Sequence, residues 1–131
     1  QLLQVTFGND ESGNVISVYG GPITGFVFRD NLVKHNAYGV YGDNVGTGNA
    51  ALQAYFPDVM FERNVLAGGN AAAYPPGNYF PTVPQFEAGF TSMLRENFAL
   101  GPASGFRTAA SDGGPVGANI AGVDAMTAGV R

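Results

Sequence analysis

Apolar and polar positions alternate in short bursts along this chain, and one burst recurs. In "GFVFRDNLVKHN", residues 25–36, Phe26 and Phe28 stand two apart, a polar pair follows, and Asn31 leads into a second apolar step. The phrase returns as "DVMFERNVLAGGN" from Asp58 and, weakened, as "TSMLRENFALGP" from Thr91. Aligned, Phe28, Phe61 and Leu94 form one column and Asn31, Asn64 and Asn97 another, each spaced by 33 residues. A shorter echo, "VTFGND", sets Val5, Phe7 and Asp10 in the places of Phe26, Phe28 and Asn31, 21 residues upstream. Apolar side chains at i and i+2 share one face of a strand. Asn suits the bend that follows, because it tolerates left-handed geometry and hydrogen-bonds nearby backbone.

A core phrase that persists while its interval changes predicts stacked coils with loops of different size. Stacking sets each Asn about 4.8 Å above the next, the spacing of adjacent strands, so that Asn31, Asn64 and Asn97 form a ladder of the kind found in cross-β arrays. Three separate hairpins with Asn in their turns explain the asparagines but not the constant register. Between the repeats lie "GDNVGTGNAALQAYFP" and "AAAYPPGNYFPTVPQFEAG", whose Pro and Gly oppose regular pairing and predict two long loops on one side of the stack. The closing "IAGVDAMTAGVR" has helical spacing and predicts a short helix, from Ile120 to Val130, over the last coil.

"FRDNLVKHNAYGVYGDNVGTGNAAL", "YFPDVMFERNVLAGGN" and "NFALGPASGFRTAASDGGPVGANI" together resemble the last coils of secreted bacterial right-handed parallel β-helix proteins. The last stretch is similar to that family's closing phrase, a strand of the form Asn/Asp-aromatic-x-Leu-x-Pro running into a Ser-Pro turn and a Gly-Asp-Gly loop. Gly105 stands where that turn usually has Pro, and Ala109 and Ala110 replace a more usual Gly. The resemblance implies an all-β, right-handed parallel β-helix (β-solenoid) over residues 1–131, as one domain or the C-terminal part of a longer protein. It also implies a secreted or cell-surface location. The wider superfamily holds pectate lyases, other polysaccharide lyases and many surface proteins, so the fold does not choose a function.

Composition narrows the classes. At 131 residues the chain holds one core, and only 12% of it is charged, against 20 glycines. A net charge of −4 with scattered Lys and Arg argues against nucleic acid and anionic membrane surfaces. Without cysteine there is no disulfide, thiol nucleophile or Cys-type zinc site. No apolar run reaches the roughly 18 residues of a spanning helix, so membrane insertion is not expected. A start at Gln1 rather than Met reads as a processed protein or a piece of a longer one.

The candidate chemistry is thin. A β-helix lyase needs a Lys or Arg base next to a uronic carboxylate, and Lys34 and His35 are the candidates, but with no acidic cluster beside them neither is assigned a catalytic role. Asp43, Asn44 and Asn49 in the glycine-rich stretch are too few for calcium and read as a turn, as does Asp112. No metal or cofactor is expected. The loop aromatics Tyr38, Tyr41, Tyr55, Phe56, Tyr74, Tyr79 and Phe80 either stack on sugar rings or glue the loops to the stack. The expected function is an extracellular scaffold or binding module, with glycan contact through Tyr38, Tyr41, Tyr55, Tyr74 and Tyr79. The alternative is the C-terminal part of a polysaccharide lyase or glycoside hydrolase. The uncharged, alternating "QLLQVTF" at the first edge predicts docking of a second copy or another coil, end to end.

Overall fold

The computed structural model describes residues 2–5, 13–95 and 97–129, the first four through their backbone alone. It is a mixed α/β structure of short strands in small separate sheets, not an all-β parallel β-helix. Strands β1 (Leu2–Val5), β2 (Asn14–Tyr19), β5 (Gly39–Gly42) and β6 (Gly46–Thr47) form one mixed sheet in that order. Strand β3 (Val27–Arg29) pairs in parallel with β7 (Met60–Glu62), and β4 (Leu32–Lys34) with β8 (Val65–Ala67). Strands β9 (Phe90–Ser92) and β10 (Asn97–Leu100) make an antiparallel hairpin. Among the described residues three α-helices complete the fold: α1 (Asn49–Tyr55), α2 (Val83–Ala88) and α3 (Ile120–Thr127).

Two of the phrases meet as short parallel strand pairs. Phe28 lies beside Phe61 and Val33 beside Leu66 in parallel register. The bends between the strands are made by the residue before each Asn: Asp30 (φ 59), Arg63 (φ 56) and Gly77 (φ 85) take the left-handed conformation. Each Asn is thereby released to bond across the stack. Asn64, fully buried, accepts the Asn31 backbone and side-chain N–H groups on Oδ1 at 3.1 and 3.0 Å. Its own amide donates to the Phe28 carbonyl at 2.7 Å and to Asn78 Oδ1 at 3.0 Å.

The third member of the stack is therefore Asn78, not Asn97. Residues 77–81 run along the free edge of β8: Arg63 N–H donates to the Gly77 carbonyl, Tyr79 N–H to Asn64, Leu66 N–H to Tyr79 and Gly68 N–H to Pro81, all at 2.8–2.9 Å. With that edge taken, the third phrase folds on itself. Asn97 pairs with Ser92 and Leu100 with Phe90, Leu94 is fully exposed, and Asn97 Oδ1 accepts from Ala99 N–H. A hairpin between neighbours closes a much shorter loop than a return to β8, so its entropic cost is lower.

The stack also ends early at its start. Strand β1 turns back antiparallel onto β2, with Val5 beside Ile16, so it is an edge strand of a sheet and no parallel first coil; Phe7 and Asp10 lie outside the described residues. The two expected loops contain structure of their own. Ala-rich α1 fills the first, and the second holds a 3₁₀ turn (Ala71–Ala73), residues 77–81 and α2. Helix α2 opens on a capping box in which Thr82 Oγ1 accepts from Gln85 N–H and the Gln85 side chain accepts from Thr82 N–H. Helix α3 is the expected C-terminal helix, ending at Thr127, but it buries none of its residues and touches β10 rather than capping a coil.

Strand β8 separates two apolar clusters. Leu66 faces the larger one, with Val15, Ile16, Val18, Phe28, Val33, Val40, Leu52, Phe56, Phe61 and Tyr74. Val65 and Ala67 face the smaller one, with Phe86, Ala109, Ala110 and Val116. A column of rings runs through the larger cluster: Phe56, Phe26, Phe28, Phe61, Tyr74 and Phe80, with neighbouring centroids 4.5 to 6.4 Å apart.

Candidate functional site

Alternation along β4 places Val33 in the larger cluster and Leu32 and Lys34 on the opposite face. That opposite face is one wall of a cleft of about 600 Å³. The facing wall is built by the second half of the chain. Helix α2 supplies Phe86, and Gly89 ends the helix so that Phe90 begins β9. Phe86 and Phe90 meet edge to face at 5.1 Å, and Phe90 meets Phe98 of β10 at 6.3 Å. Met93, Leu100, Val116 and Ile120 complete a largely apolar lining.

Three contacts hold this wall against β4 and the bend before it. Gly117 N–H donates to the Asp30 carbonyl at 2.9 Å. Gly117 has φ 89, and a Cβ there would sit 3.3 Å from Leu32 Cβ, so glycine lets the two segments approach. The Asp30 carboxylate accepts the backbone N–H of Ser111 at 2.7 Å and the Ser111 hydroxyl. At the other end of β4 the Lys34 side chain is only 6% exposed, and its ammonium lies 2.7 Å from Glu87 Oε1 on α2.

Lys34 and His35 diverge although they are adjacent. His35 leaves the cleft and meets Tyr74, whose hydroxyl accepts the Val40 N–H at 3.1 Å and lies 2.8 Å from His35 Nε2. With the imidazole proton on Nδ1, which bonds the Asn36 carbonyl at 2.9 Å, every polar atom of this trio has a partner. Gly39 makes room for it, since a Cβ there would lie 2.1 Å from the Tyr74 hydroxyl. Burial pushes the Tyr74 phenol above its ordinary pKa of 10.0, and the Val40 N–H opposes the shift in part. The trio is a packing device; no base and acid converge here on a common space.

The other aromatics separate by exposure. Tyr55 is buried, with its hydroxyl donating to the Asp43 carbonyl at 2.7 Å, and Phe56 is buried as well. Tyr79 packs on Phe106, accepts from Arg63 at 2.8 Å and donates to the Ala109 carbonyl at 3.2 Å. Tyr38 is 55% exposed in the turn before β5, and Tyr41 lies 6.2 Å from Tyr19 on the sheet face opposite Ile16, Val18 and Val40. Asn44 donates to the Asp43 carboxylate and Asp112 accepts from Gly114 N–H, both within turns, and Asn49 opens α1. Among the described residues no three His, Cys, Asp or Glu side chains gather as a metal site, and no helix is long and apolar enough to cross a membrane.

The cleft wall was not anticipated from the sequence, although signals for it exist. Thr82 followed by Gln85 is a capping box, and Phe86 and Phe90 stand at i and i+4. Comparison with protein-family models, with curated proteins and with solved structures finds no match to this chain.

Proposed function

We propose that this chain is a binding module and not an enzyme, and that its ligand is an elongated apolar small molecule held between β4 and the α2–β9–β10 wall. One observation carries the reading: a cleft of about 600 Å³ lined by three phenylalanines, Met93, Leu100, Val116 and Ile120, with Asp30, Asn31 and Lys34 as its polar side chains. Small-molecule sites are typically concave, largely apolar and about 300–1,000 Å³ in volume. The separation of Lys34 from His35 supports binding over general acid–base catalysis, which needs groups converging on one reacting atom.

Nile red fluorescence titrated against the full chain tests this. The expected result is saturable one-site binding, displaced by dodecanol, and weakened at least about tenfold by Ala118→Trp, which fills the cleft from an exposed position. Unsaturable binding, or binding indifferent to Ala118→Trp, overturns the reading.

Glycan contact is a second reading, favoured by the Tyr19–Tyr41 pair and exposed Tyr38. It requires Tyr41→Ala to abolish binding to a polysaccharide while the melting temperature is unchanged.

A further inference from the structure

We infer that the ligand of this cleft is a short apolar peptide in extended form, one residue of which exchanges two backbone hydrogen bonds with Leu32. The inference rests on the binding reading above and names its ligand class. Strand β4 gives one edge to β8: the Asn31 carbonyl accepts from Val65 N–H at 2.8 Å, and His35 N–H donates to the Ala67 carbonyl at 2.9 Å. In a parallel ladder alternate residues bond the partner, and those between turn their N–H and C=O to the opposite edge. Leu32 lies between Asn31 and Val33 in that ladder, so its amide and carbonyl face away from β8. Among the described residues neither group has a hydrogen-bond partner.

The cleft runs along this edge. A cavity that rests on one face of a strand touches alternate residues. This one is lined by all five from Asp30 to Lys34, Val33 included, although Val33 belongs to the larger cluster and is 4% exposed. The chain itself starts to cover the edge and stops. One residue before Asn31, the Asp30 carbonyl accepts Gly117 N–H at 2.9 Å, after which the chain departs through exposed Ala118. A peptide laid beyond Gly117 continues what that bond begins: its N–H meets the Leu32 carbonyl and its C=O meets the Leu32 N–H, the closed pair of an antiparallel ladder. A lone trans amide cannot do this, since its N–H and C=O point opposite ways, whereas those of one extended residue point the same way. The charges on the lining are held within the protein, Lys34 by Glu87 at 2.7 Å and Asp30 by Ser111, so the polar part of the ligand is neutral. Phe90, Phe98 and Leu100 across the cleft give its side chains apolar contact.

Calorimetric titration of the full chain compares hexanoyl-leucine hexylamide with its depsi analogue, in which an ester oxygen replaces the leucine N–H, and with dodecanol. The peptide should bind at least about tenfold more tightly than the depsi analogue. Dehydration works the other way, because an ester loses less than an amide on leaving water, so that order reports the pairing. Amide exchange followed by NMR should slow at Leu32 about tenfold more with saturating peptide than with saturating dodecanol. Failure of the peptide alone to bind, a depsi analogue bound as tightly as the peptide, or equal Leu32 exchange with peptide and dodecanol each refutes the pairing, and dodecanol binding then leaves the apolar cleft standing. Failure of the peptide and dodecanol alike refutes the binding reading itself. Both comparisons vary the ligand alone, so neither depends on the folding of a variant.

Discussion

Residues 13–81 and residues 82–129 face the same difficulty, short strands of two to six residues that cannot stand alone, and solve it by opposite means. The first region ties its strands across the chain. Asn31, Asn64 and Asn78 bond one another and the neighbouring carbonyls, and a column of six rings fills the space beside them. Among the described residues, the strands of the second region pair only as neighbours, in the β9–β10 hairpin, where Leu94 and Phe98 stay exposed. Buried, fully bonded polar networks specify one arrangement, whereas few buried contacts mean a low free energy of local opening. The difference teaches where each property resides: the stack holds β4 as one wall of the cleft, and the half tied by fewer cross-chain bonds supplies the other wall.

Two pairs of substitutions and one single substitution bear on that contrast, each read by urea unfolding. The largest effect belongs to the ring column. Phe61→Ala should cost about 4 kcal/mol, because it removes the middle of the column between Phe28 and Tyr74 and leaves a cavity. Phe98→Ala in the hairpin should cost less than about 1 kcal/mol, since nearly half of its surface is already in water. Equal losses would break the comparison.

A smaller effect is expected in the polar stack. Asn64→Ala removes the acceptor of the Asn31 N–H groups and the side-chain donor to the Phe28 carbonyl and Asn78 Oδ1, which keeps only the residue 64 backbone N–H, and should cost about 2–3 kcal/mol. Asn97→Ala, on the exposed hairpin, should stay within about 0.5 kcal/mol. A reversed order would return Asn97 to the ladder and remove Asn78 from it.

The smallest effect sharpens the role of Tyr74. Tyr74→Phe loses the bonds to Val40 and His35 and should cost about 1 kcal/mol near neutral pH. The phenol holds its proton more tightly when folded than when unfolded, so its contribution is fully present below pH 10.0, the ordinary value, and is lost as pH rises through the higher folded value. Unfolding free energy of the parent should therefore fall more steeply above pH 10.0 than that of Tyr74→Phe. Parallel pH profiles for the two chains would show that Tyr74 does not titrate differently in the two states.

Much of the first region was legible because its signals are local. Phe28 and Phe61, like Asn31 and Asn64, stand at one interval in one phrase, and β3–β7 and β4–β8 keep that register. The third member escaped notice because the 33-residue interval pointed to Asn97, while Asn78 lies only 14 residues after Asn64. Yet Asn78-Tyr79-Phe80 has the same form as Asn31-Leu32-Val33 and Asn64-Val65-Leu66, and Gly77 supplies the left-handed bend that Asp30 and Arg63 make. Prolines at 75, 76 and 81 argued against pairing there, but Pro81 needs only its carbonyl to accept from Gly68, and it lacks nothing for that role.

What the sequence determined by itself is the local grammar: an apolar pair, a bend and an asparagine, which commit short segments to strands and corners through side-chain alternation and backbone preference. Which copy of the phrase joins the stack was decided only in three dimensions. The free edge of β8 accepts one partner, and residues 77–81 reach it first along the chain, so residues 91–100 were left to pair among themselves. The cleft has the same origin. Phe86, Phe90, Phe98 and Val116 come from four separate segments, and they share a surface with Lys34 only because that displaced hairpin and α2 pack against the outer face of β4. A pattern along one dimension records what each residue prefers; competition for a single strand edge, and the packing that follows from its outcome, is a property of the folded chain.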